Sequence, residues 1–366
     1  MKEVFIDPWG NVLLNYEKIA KKFGIKPIPE DIRRFFKNNR FFSRGIIIAH
    51  RDFDKVFKRI NQKKPFIQVT GIASSGKLHF GHKMVVDLFM SLKKYNSKNY
   101  FGICDIDGYV SRPDFKVSSL EKAKEYAINN LSHILALGLE EKDVFIQSKK
   151  ERRYYEFAFE LSKKITGNMF KAVYGHLDLG KISANLLQYS DILHPQLPEF
   201  EGEMPSVTAI GLEQDPHIRV ARDIAKRLPY NIESPGSLYI TYQGGLLINK
   251  KMSSSEPETA IFLDDSEEIA EKKLKNAFTG GRESIEKQKE LGGQPNICRI
   301  FEMYRFHYPE DDFVKKIEKD CKAGKLMCKN CKKQCIDFVI SFLRNHHKRL
   351  IKTKKIAEKM VLGNDK

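Results

Sequence analysis

The order of apolar runs between Phe66 and Thr241 constrains the fold more than any other feature of this sequence. Short apolar runs, which include PFIQVT, NYFGICD and DVFIQS, alternate with longer stretches that carry apolar residues at helical spacing. The same rhythm returns later with PSVTAIG, a helical stretch and GSLYIT. Strands and helices that alternate in this way form βαβ units. We therefore predict an α/β domain over residues 66–260, built on a Rossmann-like parallel sheet.

The regions on either side of this domain have different patterns. Residues 1–65 carry apolar residues at helical spacing over 15–23 and 29–38, which predicts an appended, mostly helical region. From Ile261 onwards only helical patterns occur, and they predict a separate helical domain over residues 261–366.

Positive charge is concentrated at the C-terminal end. Residues 315–366 contain 16 Lys or Arg and 5 Asp or Glu, so they supply +11 of the net charge of +17. Such a basic helical surface favours a polyanionic partner such as nucleic acid, although a well-solvated, lysine-rich helix has the same composition.

Composition also bears on the compartment. No apolar run approaches the roughly 18 residues that cross a bilayer, and MKEVFIDPWG lacks the apolar core of a signal peptide. We expect no membrane association and a cytoplasmic protein. Five of the six cysteines lie between residues 298 and 335, and in a reducing compartment such clustering points to metal rather than disulfides.

The segment GIASSGKLHFGH, residues 71–82, joins a predicted strand to a predicted helix. Free N–H groups and the positive end of the helix dipole attract an anion there, and the imidazoles of His79 and His82 can donate to phosphate oxygens. Ser74 and Ser75 add hydroxyls. The segment is not a Walker P-loop, because Lys77 lacks the G-K-[ST] context.

A second segment, KKMSSS at 250–255, follows the last predicted strand. A lysine on a hydroxyl-rich loop can fold over a triphosphate and neutralise charge on the departing pyrophosphate. A serine-rich linker has the same appearance, so this segment gains its meaning only together with the first. Together, at opposite ends of one parallel sheet, the two segments match a single known arrangement.

With HFGH and KMSSS as its two signatures, the sequence resembles a class I aminoacyl-tRNA synthetase. Further stretches are similar to tryptophanyl-tRNA synthetases of the archaeal and eukaryotic branch: FFSRGIIIAHRDF at 41–53, AIGLEQDPHIRVARD at 209–223, MSSSEPETAIFL at 252–263 and AFTGGRESIEKQKELGG at 277–293. The resemblance covers about residues 40–345. It implies ATP-dependent ligation of L-tryptophan to tRNA(Trp) with Mg²⁺, a homodimer, and anticodon binding by the helical C-terminal domain.

The resemblance also implies roles for individual residues. Catalytic roles fall on His79, His82 and Lys251; ATP binding on Ser74, Ser75, Gly81, Lys251, Met252 and Ser253; and amino-acid binding on Asp107, Gln214 and Gln243. The family often has a second lysine at the position of Ser254, and its absence puts more weight on Lys251 and on the metal.

The contact with the indole ring stays open. Val69 and Gly102 occupy the positions where the eukaryotic enzymes hold the indole N–H with Tyr and Gln, so Gln68 and Tyr109 become candidates. A tyrosyl-tRNA synthetase is therefore the alternative within the class.

The C-terminal cysteines have the spacing of a metal site. Cys298, Cys321, Cys328 and Cys331 resemble the four positions that bind a [4Fe–4S] cluster near the anticodon in a bacterial tryptophanyl-tRNA synthetase. Zinc, or four unliganded thiols, are the alternatives.

Two other classes of protein share part of these features. Nucleotidylyltransferases also carry His-x-Gly-His at a helix start, but the KMSSS loop and the basic C-terminal domain argue against them. A non-catalytic RNA-binding paralogue is disfavoured because His79, His82 and Lys251 are all present.

Overall fold

A computed structural model describes residues 23–363 and shows a seven-stranded sheet. The strand order is β1-β2-β7-β6-β3-β4-β5. Every neighbouring pair among β3 to β7 is parallel, which confirms the predicted α/β fold, while β1 and β2 form an antiparallel edge. The strands are β1 (Lys26–Pro27), β2 (Ile47–Arg51), β3 (Phe66–Ala73), β4 (Ser97–Cys104), β5 (Val144–Ile146), β6 (Ser206–Gly211) and β7 (Gly236–Ile240).

Fifteen α-helices surround the sheet and form the C-terminal region within the described residues. Across residues 23–363, no helix is both long and apolar enough to cross a membrane. The helices are α1 (Glu30–Phe35), α2 (Arg40–Ser43), α3 (Phe53–Asn61), α4 (Phe80–Lys93), α5 (Asp105–Val110), α6 (Leu120–Leu137), α7 (Arg152–Ser162), α8 (Gly167–Tyr174), α9 (Leu179–Leu193), α10 (Asp215–Ala225), α11 (Glu267–Asn276), α12 (Ile285–Leu291), α13 (Arg299–His307), α14 (Asp311–Lys322) and α15 (Cys328–Leu362).

The region before Phe66 differs from the expectation of an appended helical segment. The β-branched run Ile46–Ile48 favours an extended strand over a helix, and β2 pairs with β7 in the same sheet. Phe41, Ile47 and Phe53 are buried in a cluster that also contains sheet residues, so residues 41–53 pack against the sheet, and the division at residue 65 stays a proposal. The helix expected over residues 29–38 is present as α1, and the one expected over 15–23 lies almost entirely outside the described residues.

The C-terminal region is helical, as expected, but it shares its core with the sheet domain. One apolar cluster runs from Phe80 and Ile134 through Leu274 to Val339 and Leu343. The division at residue 260 therefore stays a proposal.

Helix α15 lies along α6, and polar contacts reinforce this packing. Arg349 Nε donates to the carbonyl of Ala136 at 2.7 Å, and the Thr353 hydroxyl donates to the carbonyl of Ser132 at 2.9 Å. Arg349, which belongs to the basic segment 315–366, therefore binds α6.

Candidate active site

A cleft of about 1360 Å³ opens at the carboxyl ends of the parallel strands. This is the edge at which open α/β sheets bind ligands, because the loops that follow neighbouring strands converge there. The loops after β3, β4, β6 and β7 all contribute to its walls, together with α9 and the start of α11.

The first signature forms the start of α4 through a reciprocal cap between its histidines. The Gly81 N–H donates to His79 Nδ1 at 3.1 Å, and the His79 N–H donates to His82 Nδ1 at 3.1 Å. Both Nδ1 atoms act as acceptors, so in each neutral ring the proton sits on Nε2. The local sequence thus turns two histidines into N–H donors of fixed tautomer.

Burial sets the charge of these rings. It lowers the pKa of His82 to about 4, and it lowers the pKa of His79 well below its ordinary value, with a smaller contribution from the neighbouring His82. Both histidines are therefore neutral at pH 7 and can offer hydrogen bonds but not full positive charges to a phosphate.

The second signature lies against the first. Ser254 Oγ donates to the carbonyl of Lys77 at 3.1 Å, although the two residues are 177 positions apart. The Ser253 N–H donates to Thr259 Oγ1 at 3.2 Å, and an isolated β-bridge joins Lys251 to Gly244. The loop therefore covers the end of the cleft that the two histidines line.

The structure brings together nearly all the residues for which the resemblance implied catalytic, ATP-binding or amino-acid-binding roles. Ser74 is the exception: it is fully buried, and its Oγ has no hydrogen-bond partner among residues 23–363. The backbone of Ser74 packs against Gly108, where a Cβ would come within 2.6 Å of the Ser74 carbonyl oxygen. Of the residues with implied roles, those that line the cleft are Ser75, His79, Gly81, His82, Asp107, Gln214, Gln243, Lys251, Met252 and Ser253.

The three predicted amino-acid ligands follow the ends of β4, β6 and β7, where the sequence placed them. Burial raises the pKa of Asp107, while Ser111 and Arg112 act in the opposite direction. The Gln243 side chain already has a partner on α13, since its Oε1 lies 2.6 Å from His307 Nε2. Gln243 thus joins the cleft to the C-terminal helices.

Sequence reasoning missed a buried carboxyl in the cleft wall, Asp191 on α9. Tyr154 OH donates to Asp191 Oδ1 at 2.6 Å, and Gln147 Nε2 donates to Asp191 Oδ2 at 3.1 Å. Burial raises the pKa of Asp191 to about 7, and the hydrogen bond from Tyr154 opposes that shift. An acid inside the apolar stretch YSDIL was the available signal. Gln68, one of the two candidates for the contact with the indole ring, is hydrogen-bonded within the sheet, where its Nε2 donates to Asn99 Oδ1 at 2.6 Å.

The four C-terminal cysteines, Cys298, Cys321, Cys328 and Cys331, line one small cavity beside Thr279 and Gly280. Within the described chain, no three His, Cys, Asp or Glu side chains lie close enough to hold a single metal ion.

Space for these thiols is reserved by the backbone. A Cβ at Gly293 would lie 2.7 Å from Cys321 Sγ, so a larger residue would displace that sulfur. Burial, together with the neighbouring thiols, raises the pKa of Cys331 to about 12. Without a metal the Cys331 thiol is therefore protonated at pH 7, and thiolate ligation by this residue would need a cation to compensate for burial.

The fold and the cleft are those of a class I aminoacyl-tRNA synthetase, and comparison with known proteins agrees. The profile of the family described as tRNA synthetases class I (W and Y) matches residues 61–344, so the chain belongs to this family.

Similar curated proteins carry a narrower name. The chain is 39% identical to the tryptophan–tRNA ligase of Methanocaldococcus jannaschii, over 99% of this chain and all of that protein. It is 40% identical to the tryptophan–tRNA ligase of Hyperthermus butylicus, over 94% of each chain.

Solved structures share the fold over most of this chain. A tryptophanyl-tRNA synthetase from Aeropyrum pernix K1 superposes with a TM-score of 0.86 at 37% identity, covering 97% of this chain and 98% of that one. A tryptophanyl-tRNA synthetase from Encephalitozoon cuniculi bound to tryptophan gives 0.81 at 25% identity, covering 95% and 98%.

Proposed function

We propose that this chain is a tryptophan–tRNA ligase, which activates L-tryptophan with ATP in the cleft and transfers it to the 3′ end of tRNA(Trp). The observation that carries the proposal is the contact of Ser254 with the Lys77 carbonyl, because it joins the two signatures over one cavity. The names of the curated relatives favour tryptophan over tyrosine as the amino acid.

Activation needs no protein nucleophile. A carboxylate oxygen of the amino acid attacks the α-phosphorus of ATP, the bond to the bridging oxygen breaks, and pyrophosphate leaves. Positioning and charge stabilisation carry such a step. The Nε2–H groups of His79 and His82 bind phosphate oxygens, Lys251 neutralises charge on the pyrophosphate, and Mg²⁺ bound to ATP supplies further positive charge.

At the other end of the cleft, Asp107 and Gln214 bind the ammonium and carboxylate of the amino acid. Asp191 is the acceptor for the indole N–H, since it is a buried carboxyl in a wall that also contains Val69, Ala184 and Ile192. Cys104 Sγ also lies 3.8 Å from Asp191 Oδ2, so three side chains contact this carboxyl, and its lone pairs can still accept one more hydrogen bond.

Exchange of labelled pyrophosphate into ATP tests this function directly. The protein should catalyse exchange with tryptophan and not with tyrosine. Asp191→Asn, which keeps the size of the side chain, should raise the KM for tryptophan by about 10- to 100-fold, the scale of one charge-assisted hydrogen bond, and leave the KM for ATP unchanged. Exchange with tyrosine alone would contradict the assignment.

The four-cysteine cavity is proposed to hold a [4Fe–4S] cluster, with zinc as the alternative. Four converging cysteines and the space at Gly293 support this proposal. The four thiolates would hold the cluster, which would cross-link the residues around Cys298 to α14 and α15. Protein purified without oxygen should contain about four iron atoms per chain. Stoichiometric zinc in place of iron would indicate a structural zinc ion. Absence of both metals would indicate four unliganded thiols.

The homodimer and the cytoplasm remain proposals as well, implied by the resemblance. Light scattering during size-exclusion chromatography should give twice the chain mass of 42.4 kDa. A monomer that still charges tRNA would contradict the dimer.

A further inference from the structure

The loop of the second signature brings few cations to the cleft. Lys251 lines the cleft, whereas Lys250 does not, and the Lys250 ammonium lies 2.9 Å from Glu256 Oε2. Both signature histidines are neutral at pH 7 because burial lowers their pKa values. A triphosphate that loses pyrophosphate develops several negative charges, so one lysine leaves much of that charge to other groups.

Arg112, Lys116, Lys272 and Lys273 also line the cleft, but Lys77 is the cation on the segment of the signature histidines. The His79 backbone forms a β-bridge with Phe262, and the Leu263 N–H donates to the Leu78 carbonyl at 2.9 Å. This antiparallel pairing sets Lys77 opposite Asp264, next to the histidines on the same segment.

The Lys77 side chain is held at this position only loosely. Its ammonium lies 2.7 Å from Asp264 Oδ2, and the side chain is 60% exposed. Lys77 and Asp264 both line the cleft. Exposed ion pairs of this kind contribute little free energy, whereas an ammonium on phosphate oxygens inside a covered cleft interacts strongly. The Lys77 ammonium can therefore exchange the Asp264 carboxylate for a phosphate at little cost in free energy.

The second signature is hydrogen-bonded to the backbone of Lys77. Ser254 Oγ donates to the Lys77 carbonyl, and a Cβ at Gly76 would stand 3.2 Å from Ser254 Cβ. Closure of the loop over ATP thus fixes the backbone from which the Lys77 side chain extends. Ser254 also lines the same cleft.

We propose that Lys77 is a catalytic residue: when ATP binds, its ammonium leaves Asp264 and binds the phosphates that depart as pyrophosphate. Lys77 and Lys251 then approach the triphosphate from opposite sides, one on each signature. The proposal rests on the proposed function, because it names a further residue of the same adenylate-forming step.

The test compares single-turnover adenylate formation in the full chain and in Lys77→Ala. The rate should fall by about 100-fold, the scale of losing one preorganised donor, with tryptophan affinity and melting temperature unchanged. Lys98→Ala is the matched control, since Lys98 is also an exposed lysine, 3.0 Å from Glu201 Oε2, and does not line the cleft. It should keep the full rate.

Two further variants separate catalysis from positioning. Lys77→Arg, which keeps a cation on this side chain and leaves the hydrogen bond from Ser254 to the backbone of residue 77 intact, should retain most of the rate. Asp264→Asn, which removes only the partner of the ammonium, should keep the rate within a few-fold. An Asp264→Asn loss as large as that of Lys77→Ala would show that the pair is structural and overturn the inference.

The remaining outcomes distinguish this inference from the proposed function. A full rate in Lys77→Ala, in a protein that exchanges pyrophosphate with tryptophan, would overturn the role of Lys77 and leave the function intact. Absence of exchange in the unaltered protein would overturn both.

Discussion

Acidification should destabilise the protein through two buried histidines, His133 on α6 and His346 on α15. His133 Nδ1 lies 2.9 Å from His346 Nε2, and the two rings stack with 10° between their planes. The two side chains are at most 1% exposed, so a proton on either ring is buried in the contact between the helices. Two protonated rings would also repel each other.

The sign follows from the direction of the pKa shifts. Burial lowers the pKa of His133 to about 4 and that of His346 to about 3, whereas both are near 6.5 in the unfolded chain. Among neighbouring groups, Asp264 raises the pKa of His133, and His347 and Arg349 are among the groups that lower that of His346. The unfolded chain therefore binds more protons as pH falls below about 6.5, and stability is lost in that range.

The magnitude can be worked from these values. One pKa unit corresponds to about 1.36 kcal/mol, so between pH 8 and pH 5 each histidine removes about 2 kcal/mol from the free energy of unfolding. The double variant with glutamine at positions 133 and 346 should therefore lose about 4 kcal/mol less than the wild type over this range, since it retains polar side chains that cannot titrate.

Urea unfolding at several pH values and constant ionic strength measures this difference. His176→Gln is the control, because His176 lies between α8 and α9, outside the contact of α6 with α15. An unchanged pH dependence in the double variant would refute the idea that this pair is buried in its neutral form.

The remaining predictions concern catalysis and tRNA. Lys251→Ala should slow adenylate formation by about 2 to 4 kcal/mol with tryptophan binding retained; wild-type pyrophosphate exchange would remove Lys251 from the mechanism. His82→Ala should lower the rate more than ATP affinity, because its donor gains most as charge builds on the phosphate; equal losses in single-turnover assays would make it a binding residue only. Charge reversal on the exposed face of α15 should weaken tRNA binding and flatten its dependence on salt, without change in tryptophan activation; an unchanged salt slope would leave this face without a role. The residues to reverse are Lys348, Lys352 and Lys355.

The sequence alone determined the class of fold and the two signatures. Strand and helix periodicity, and a helix start with His79 and His82, are properties of a few neighbouring residues, so local patterns predict them well. The same holds for the cysteine spacing. It does not hold for the reciprocal cap of the two histidines, which fixes their tautomers and makes them neutral donors.

Only the tertiary structure decided which distant residues meet. No local pattern pairs Ser254 with Lys77, or Lys77 with Asp264, because the intervening chain must first complete the sheet. In the sequence, Asp191 is a single acid in an apolar helix. Only the packing of α9 against the cleft buries this carboxyl and raises its pKa. Ser74 shows the reverse, since its hydroxyl fits a phosphate site by pattern, but close packing against Gly108 leaves it buried. Burial and long-range contacts depend on the packing of the whole chain, and a sequence pattern contains that information only in part.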